Sequence, residues 1–169
     1  DKAKNIWIIN DKDELILVDK NNMKVKTFLP YASSTGNTTD QLYDLGVLED
    51  QLYLFYRSGL LICYNLKSHQ EIYRQKLPDE LPKGKYENTS YVVPGNNTFY
   101  QLRNGSQGGV MLNYDITRKK WNIVFQTDYR LNSLSIDKDS SIWVSCYMGL
   151  WNIDAGLINK QYIPNLKLV

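Results

Sequence analysis

Short apolar stretches separated by polar turn residues recur along the whole chain, and no stretch has the period of an amphipathic helix. The stretches are rich in strand-forming residues, including many of the 13 tyrosines. Clusters of Asn, Asp, Gly, Ser, Thr and Pro separate them and are typical of turns and surface loops. The pattern therefore predicts an all-β protein.

One four-residue pattern occurs four times and divides the chain into repeats. An aromatic residue stands third, behind a polar and a smaller residue, in each of the four segments. These aromatic residues are Trp7, Tyr53, Phe99 and Trp143, spaced 46, 46 and 44 residues apart. Repeats of about 45 residues that hold several short strands predict the blades of a β-propeller. A β-sandwich is the alternative fold, but it gives no reason for a fixed spacing.

Three further strands complete each repeat. The strand after the aromatic one ends on Asp or Asn, whose side chain can accept hydrogen bonds from the backbone of the next turn. A third strand then returns, and an inner strand precedes the next aromatic one. The strands after the aromatic ones are expected at Leu15–Asp19, Leu60–Asn65, Val110–Asp115 and Leu150–Asp154. The third strands are expected at Val25–Leu29, Ile72–Leu77, Trp121–Phe125 and Gln161–Ile163. The inner strands are expected at Leu42–Leu48, Tyr91–Val93 and Leu131–Asp137.

These strands predict one propeller fragment over residues 1–169, of about four blades with four antiparallel strands each. The approximate units are 5–41, 42–89, 90–130 and 131–169, and the first blade lacks its inner strand. An incomplete first blade leaves an apolar blade face and a strand edge uncovered. We therefore expect a homodimer or larger self-association.

The most specific copy of the repeat lies between Leu131 and Asp154. It contains Asp137, then Ile142-Trp143-Val144, then Gly149-Leu150, and ends at Asp154. This order resembles the two-component regulator propeller repeat, found in the periplasmic sensor domain of bacterial hybrid two-component histidine kinase/response regulators. The glycine of Gly149-Leu150 recurs in the second and third units, as Gly59-Leu60 and Gly109-Val110. The first unit has Glu14-Leu15 at the corresponding position.

The resemblance implies a periplasmic ligand-sensing module that signals to a kinase and contacts the membrane only through its parent chain. Many propellers of that family respond to glycans, so the implied ligand is a small molecule or an oligosaccharide. The resemblance also implies that the tryptophan packs between blades and that the glycine lets the backbone leave a tight loop. A non-catalytic scaffold for protein partners is the alternative function, and a propeller enzyme is a third.

The sequence contains no clear grouping of residues suited to catalysis. The single histidine, His69, stands in a polar turn without cysteine or histidine at metal-ligand spacing, so we expect no metal and no cofactor. The acidic residues fall in hairpin tips, loops and strand ends, and form no pair suited to glycoside hydrolysis. The chain is therefore expected not to be an enzyme.

Charge and cysteine content add two expectations. The net charge is only +2. The tightest basic run, Arg118–Lys120, is predicted to be a solvated hairpin tip, so nucleic acid is not an expected partner. Cys63 and Cys146 lie inside apolar strand patterns of different repeats and are predicted to be small buried hydrophobic side chains rather than a disulfide. Four Asn-x-Ser/Thr sequences are expected in surface loops, at Asn37, Asn88, Asn96 and Asn104.

The candidate ligand site follows from the propeller arrangement. If the inner strand runs first in each blade, the loops that join the aromatic strand to the next strand, and the loops that join one blade to the next, should lie together at one end of the blades. Aromatic rings there can stack on sugars, and arginine can donate hydrogen bonds to hydroxyl or carboxylate groups. The candidate ligand-binding residues are Tyr56, Arg57, Arg103, Tyr129, Arg130 and Tyr147.

Overall fold

Fifteen short strands and the turns between them make up the described part of the chain in a computed structural model. That part covers residues 4–12, 14–28, 40–78, 88–95, 97–106, 108–138, 141–153 and 160–164, with side chains except at 27, 28, 43, 88–95 and 160–164. No helix occurs among these residues, so the all-β prediction is confirmed. The chain divides into two compact units, Asp1–Leu77 and Pro78–Val169.

The first unit contains two antiparallel sheets. One has three strands, β1 (Ile6–Ile9), β2 (Leu15–Val18) and β3 (Val25–Phe28), and the other has four, β4 (Leu42–Leu48), β5 (Gln51–Tyr56), β6 (Leu60–Asn65) and β7 (Glu71–Lys76). Each strand pairs with its neighbour in sequence. The two sheets share one apolar core, in which Trp7, Ile9 and Leu17 of the first sheet pack against Leu52 and Leu54 of the second.

The second unit contains two four-stranded antiparallel sheets. The strands are β8 (Asn88–Gly95), β9 (Thr98–Gly105), β10 (Gly108–Asp115) and β11 (Lys120–Thr127), then β12 (Leu131–Ile136), β13 (Ile142–Cys146), β14 (Gly149–Ile153) and β15 (Lys160–Pro164). Leu102, Met111 and Phe125 of the β8–β11 sheet form a buried core with Ile142 and Val144 of the β12–β15 sheet. The predicted strands are all present, and their ends lie within a few residues of the predicted ones.

The turn after the second strand of a repeat has the same construction three times. Asp19, Asn65 and Asp115 accept hydrogen bonds through their side-chain oxygens from backbone N–H groups two or three residues later, at 2.8 to 2.9 Å. Each turn ends on a residue with positive φ, at Met23, His69 and Lys119. The predicted role of the strand-ending Asp or Asn is confirmed in these three repeats.

The hydrogen-bond register corrects the third aromatic position. Gln51 lies opposite Asn65 and Thr98 lies opposite Asp115, so the residue that corresponds to Tyr53 is Tyr100, not Phe99. Phe99 points to the other face of the sheet and is fully buried. Tyr100 is partly buried in the core of the second unit, and this burial raises the pKa of its hydroxyl group.

The other single-residue predictions have mixed outcomes. Cys63 and Cys146 are buried and lie outside any disulfide, as expected, and His69 lies exposed in its turn. Trp7 packs between the two sheets of the first unit. Trp143, by contrast, is only partly buried. Asn104 is buried, so the prediction that its Asn-x-Ser sequence marks a surface loop is wrong, while Asn37 and Asn96 lie outside the described residues and no side chain is described for Asn88.

Candidate ligand-binding site

Two tyrosines from different connections meet at one end of the second unit. Tyr129 belongs to the β11–β12 connection and Tyr147 to the β13–β14 turn. Their ring centroids are 6.0 Å apart and their planes are nearly perpendicular, which is a favourable edge-to-face arrangement. We call this pair the tyrosine platform. Two of the predicted ligand-binding residues are therefore in contact, although they are far apart in sequence.

The tyrosine platform has one buried and one open side. Tyr129 packs partly against the core of the second unit, whereas 65% of Tyr147 is exposed. Arg130 and Met148, which follow these tyrosines in the chain, are also exposed. The end of the second unit thus offers an aromatic ring, a cationic side chain and an apolar side chain to solvent.

Beneath the tyrosine platform, Asn104 joins the two sheets of the second unit. Its Nδ2 donates to the carbonyl oxygen of Leu131 at 2.8 Å, and its Oδ1 accepts from the Leu131 N–H at 2.7 Å. All four groups are buried. Leu131 begins β12 directly after Tyr129 and Arg130, so this amide–backbone pair fixes the place where the β11–β12 connection ends.

Glycine is required next to this pair. A Cβ atom on Gly109 would lie 2.7 Å from Oδ1 of Asn104, 2.7 Å from Cγ of Leu131 and 3.0 Å from the carbonyl oxygen of Tyr129. Gly108 has φ 114°, a backbone conformation that other residues rarely adopt. The expected role of the recurring glycine, a close backbone approach in a tight loop, is confirmed here.

The corresponding loops of the first unit are also held together. Ser58 donates through its N–H and Oγ to the two carboxylate oxygens of Asp40, at 2.9 and 2.5 Å, and the Arg57 N–H donates to the carbonyl of Gln41 at 2.8 Å. Asp40 and Gln41 precede the inner strand β4. The turn between the aromatic strand and the strand that follows it therefore meets the loop between blades in both units, as predicted from the propeller arrangement.

The first blade, which lacks the glycine, shapes its β1–β2 turn with Asn10. The Oδ1 of Asn10 accepts from the N–H groups of Lys12 and Glu14 at 3.0 and 2.8 Å. Its Nδ2 donates to the carboxylate of Glu14 at 2.7 Å. Side-chain hydrogen bonds replace the conformational freedom of glycine in this turn.

Two predicted site residues are buried inside strands rather than exposed in loops. Tyr56 is the last residue of β5 and belongs to the core of the first unit. Arg103 lies in β9 opposite Val110 and is 4% exposed. The strand continues to Gly105, so the loop begins later than the sequence suggested. Arg57, Arg130 and Tyr147 are exposed.

Sequence reasoning missed a polar groove at the opposite end of the β9–β11 sheet. It has a volume of 580 Å³ and is lined by Asn97, Thr98, Asn113, Asp115, Thr117, Arg118 and Asn122. Asn122 Nδ2 donates to Asn113 Oδ1 at 3.0 Å. The sequence signal for this groove is the pair Asn113 and Asp115, because two polar residues that lie two positions apart on β10 point to the same face of the sheet.

Other kinds of site receive no support from the described residues. Within these residues, no group of three or more His, Cys, Asp or Glu side chains could hold a metal ion. No helix in the described ranges is long and apolar enough to cross a membrane.

Comparison with solved structures identifies the fold. The chain is similar to the extracellular domain of BT4673, a proposed one component system from B. thetaiotaomicron, with 14% identity and a TM-score of 0.70, over 97% of this chain and 21% of that one. It is also similar to the β-propeller domain of Myceliophteria thermophila Cps50 (Swd1), with 11% identity and a TM-score of 0.68, over 96% and 57% of the two chains. A third similar structure is the quinohemoprotein alcohol dehydrogenase of Comamonas testosteroni, with 10% identity and a TM-score of 0.68, over 96% and 33%.

The chain spans less than two thirds of each of these three structures. No family profile matches the sequence. No curated protein matches it either. With its four antiparallel sheets and these structural likenesses, the chain is a segment of a β-propeller, with sheets that correspond to four blades.

Proposed function

We propose that this chain is a periplasmic ligand-sensing propeller module of a hybrid two-component regulator, which binds a saccharide and signals to a kinase. The observation that carries the proposal is the tyrosine platform, in which Tyr147 is widely exposed while Tyr129 is held against the core. The likeness to the extracellular domain of BT4673 supports the same kind of location and role.

The chemistry of the tyrosine platform suits a sugar ring. An exposed tyrosine ring offers an apolar face to the C–H groups of a pyranose, and its hydroxyl can exchange hydrogen bonds with ring substituents. The neighbouring Arg130 adds donors that bind hydroxyl or carboxylate oxygens. The Asn104–Leu131 hydrogen bonds hold the supporting connection rigid, so little conformational entropy is lost on binding.

A scaffold for a protein partner is the second candidate function. The observation that favours it is the exposure of Met148 beside Tyr147, since methionine contributes apolar contact area that a saccharide does not need. A protein partner would use the same end of the second unit. The two proposals therefore differ in ligand and not in location.

Binding to an oligosaccharide array, followed by titration of the strongest binder, tests the proposal. We expect Tyr147→Ala to weaken binding about fivefold or more, because it removes an exposed aromatic contact worth more than about 1 kcal/mol. The matched control is Asn113→Ala, which alters the polar groove in the same unit and should leave affinity unchanged. Arg57→Ala tests the corresponding turn of the first unit.

Three results would contradict the proposal. Unchanged affinity in Tyr147→Ala would remove the tyrosine platform from the site. Loss of affinity in Asn113→Ala alone would place the ligand in the polar groove instead. A chain that binds no oligosaccharide of the array, yet captures a protein through Tyr147 and Met148, would favour the scaffold.

A further inference from the structure

Asn104 is followed by Gly105, and no other asparagine of the chain is followed by glycine. Asparagine before glycine deamidates readily, because the glycine nitrogen can attack the side-chain Cγ atom without a neighbouring Cβ in its way. As that nitrogen loses its proton to solvent, a C–N bond forms, the Cγ–Nδ2 bond breaks and ammonia leaves with a proton from water. Water then opens the cyclic imide to aspartate or isoaspartate. The sequence thus places a reactive pair at the end of β9.

The fold holds this pair in an unreactive arrangement. Ring closure requires the Asn104 amide to turn toward the Gly105 nitrogen, but Leu131 holds both ends of the amide, at 2.8 and 2.7 Å. The backbone of Gly109 lies against it, since a Cβ there would be 2.7 Å from Oδ1. Asn104 is only 5% exposed, so the water needed for hydrolysis is also kept out. Both hydrogen bonds must therefore break before the reaction can begin.

The products cannot restore this arrangement. An aspartate carboxylate accepts hydrogen bonds but donates none, so the Leu131 carbonyl would lose its partner. The carboxylate would also bring a negative charge into a buried place. Isoaspartate adds a methylene group to the backbone of β9 and shifts its pairing with β10. After either outcome, the β11–β12 connection that carries Tyr129 would no longer be fixed at Leu131.

We propose that Asn104 is a latent deamidation site, protected while its amide is bound to β12 and modified when β9 and β12 separate. Each separation frees the reactive pair, and each reaction makes the return to the closed state less favourable. The modified fraction therefore records how often this end of the second unit opens. The proposal concerns the chemical lifetime of the chain and does not depend on the ligand of the tyrosine platform.

Mass spectrometry of tryptic peptides from the full 169-residue chain tests this site. Asn104 and Asn132 fall in separate peptides, residues 104–118 and 131–138. Asn132 is the internal control, because it is exposed, precedes serine and lies at a bulge of β12. In denaturing urea at mildly alkaline pH, we expect Asn104 to convert faster than Asn132. In the folded chain, Asn104 should convert at least about tenfold more slowly than in urea, and more slowly than Asn132.

Three substitutions separate the chemistry from the fold. Gly105→Ala should slow the conversion of Asn104 in urea several-fold, because a Cβ then stands beside the attacking nitrogen. Asn104→Asp reproduces one product and should lower the urea midpoint of unfolding. Asn132→Asp is the matched control, the same exchange at an exposed residue, and should leave that midpoint unchanged.

Three outcomes would overturn the proposal. Equal conversion of Asn104 in the folded chain and in urea would mean that the fold does not protect it. Slower conversion of Asn104 than of Asn132 in urea would mean that the pair is not the reactive one. An Asn104→Asp chain as stable as the unmodified chain would mean that deamidation leaves the contact with Leu131 intact.

Discussion

The side chain of Asn104 both donates to and accepts from the backbone of Leu131 in a buried place. A buried peptide group without a partner costs about 1 to 3 kcal/mol, so this amide protects two such groups at once. Asparagine suits the position because its side chain carries a donor and an acceptor in the same geometry as a peptide. The cost of removing it should therefore exceed that of an ordinary surface polar residue.

We expect Asn104→Ala to lower the free energy of unfolding by about 2 kcal/mol or more, because the Leu131 N–H and carbonyl lose their partners. The measurement is a urea titration followed by tryptophan fluorescence. Asn113→Ala is the control, since its hydrogen bond to Asn122 is exposed and its loss should change stability by less than about 0.5 kcal/mol. Equal effects of the two substitutions would contradict the role of the Asn104–Leu131 pair.

Arg103 and Gln101 are the second residue-scale feature that the fold decides. They lie two residues apart on one face of β9 and are almost completely buried. Within the described residues, the Gln101 Oε1 atom has no hydrogen-bond partner. Buried polar side chains of this kind affect folding as much as binding, so a substitution at Arg103 is not a clean probe of ligand contacts.

At the scale of elements, the turns between strands determine where the strands of each blade begin and end. The turn after the second strand uses a side-chain oxygen from Asp or Asn and ends on a residue with positive φ. The turn that precedes that strand needs glycine at Gly59 and Gly108, where φ is 91° and 114°. These requirements are local, which is why they are visible in the sequence as recurring Asp, Asn and Gly residues.

Opposite substitutions in two turns should have opposite effects on stability. Gly108→Ala forces a side chain into a positive-φ position where its Cβ would overlap the Thr127 carbonyl, and should cost more than about 1 kcal/mol. Met23→Gly relieves a left-handed conformation at an exposed residue and should leave stability unchanged or raise it by up to about 1 kcal/mol. Urea titrations of both variants measure the difference. If Met23→Gly lowered the free energy of unfolding as much as Gly108→Ala, the positive φ angle would not be what determines stability at these two positions.

At the scale of the whole molecule, the chain has two compact units, each with a core of its own. Each unit contains one buried cysteine, Cys63 in the middle of β6 and Cys146 at the end of β13. A thiol reagent reaches a buried cysteine only when the structure around it opens. The two thiols therefore report the opening of the two units separately.

We expect native-state labelling of Cys146 to be about tenfold faster or more than that of Cys63, because strand ends beside exposed turns open at lower free energy than strand centres. The variants Cys63→Ala and Cys146→Ala isolate each thiol, and labelling in full denaturant provides the reference rate. Equal protection of both thiols would instead mean that the chain opens in a single global step.

The sequence by itself determined the blades, because their signals are local. Apolar stretches, strand-ending Asp or Asn residues and recurring glycines set where Leu15, Asn65 and Gly109 lie in the repeat. The same reasoning placed the connections of Tyr129 and Tyr147 at one end, since that follows from strand order alone.

Only the tertiary structure decided which polar and aromatic side chains face the core. Phe99 and Tyr100 are both aromatic neighbours, and only the hydrogen-bond register assigns one to each face of the sheet. The sequence suggests loop positions for Arg103 and Asn104, yet both are buried because strand β9 continues through them. A distant residue, Leu131, supplies the hydrogen-bond partners of Asn104. Burial depends on what packs against a strand from far along the chain, and the identity of the residue alone does not carry that information.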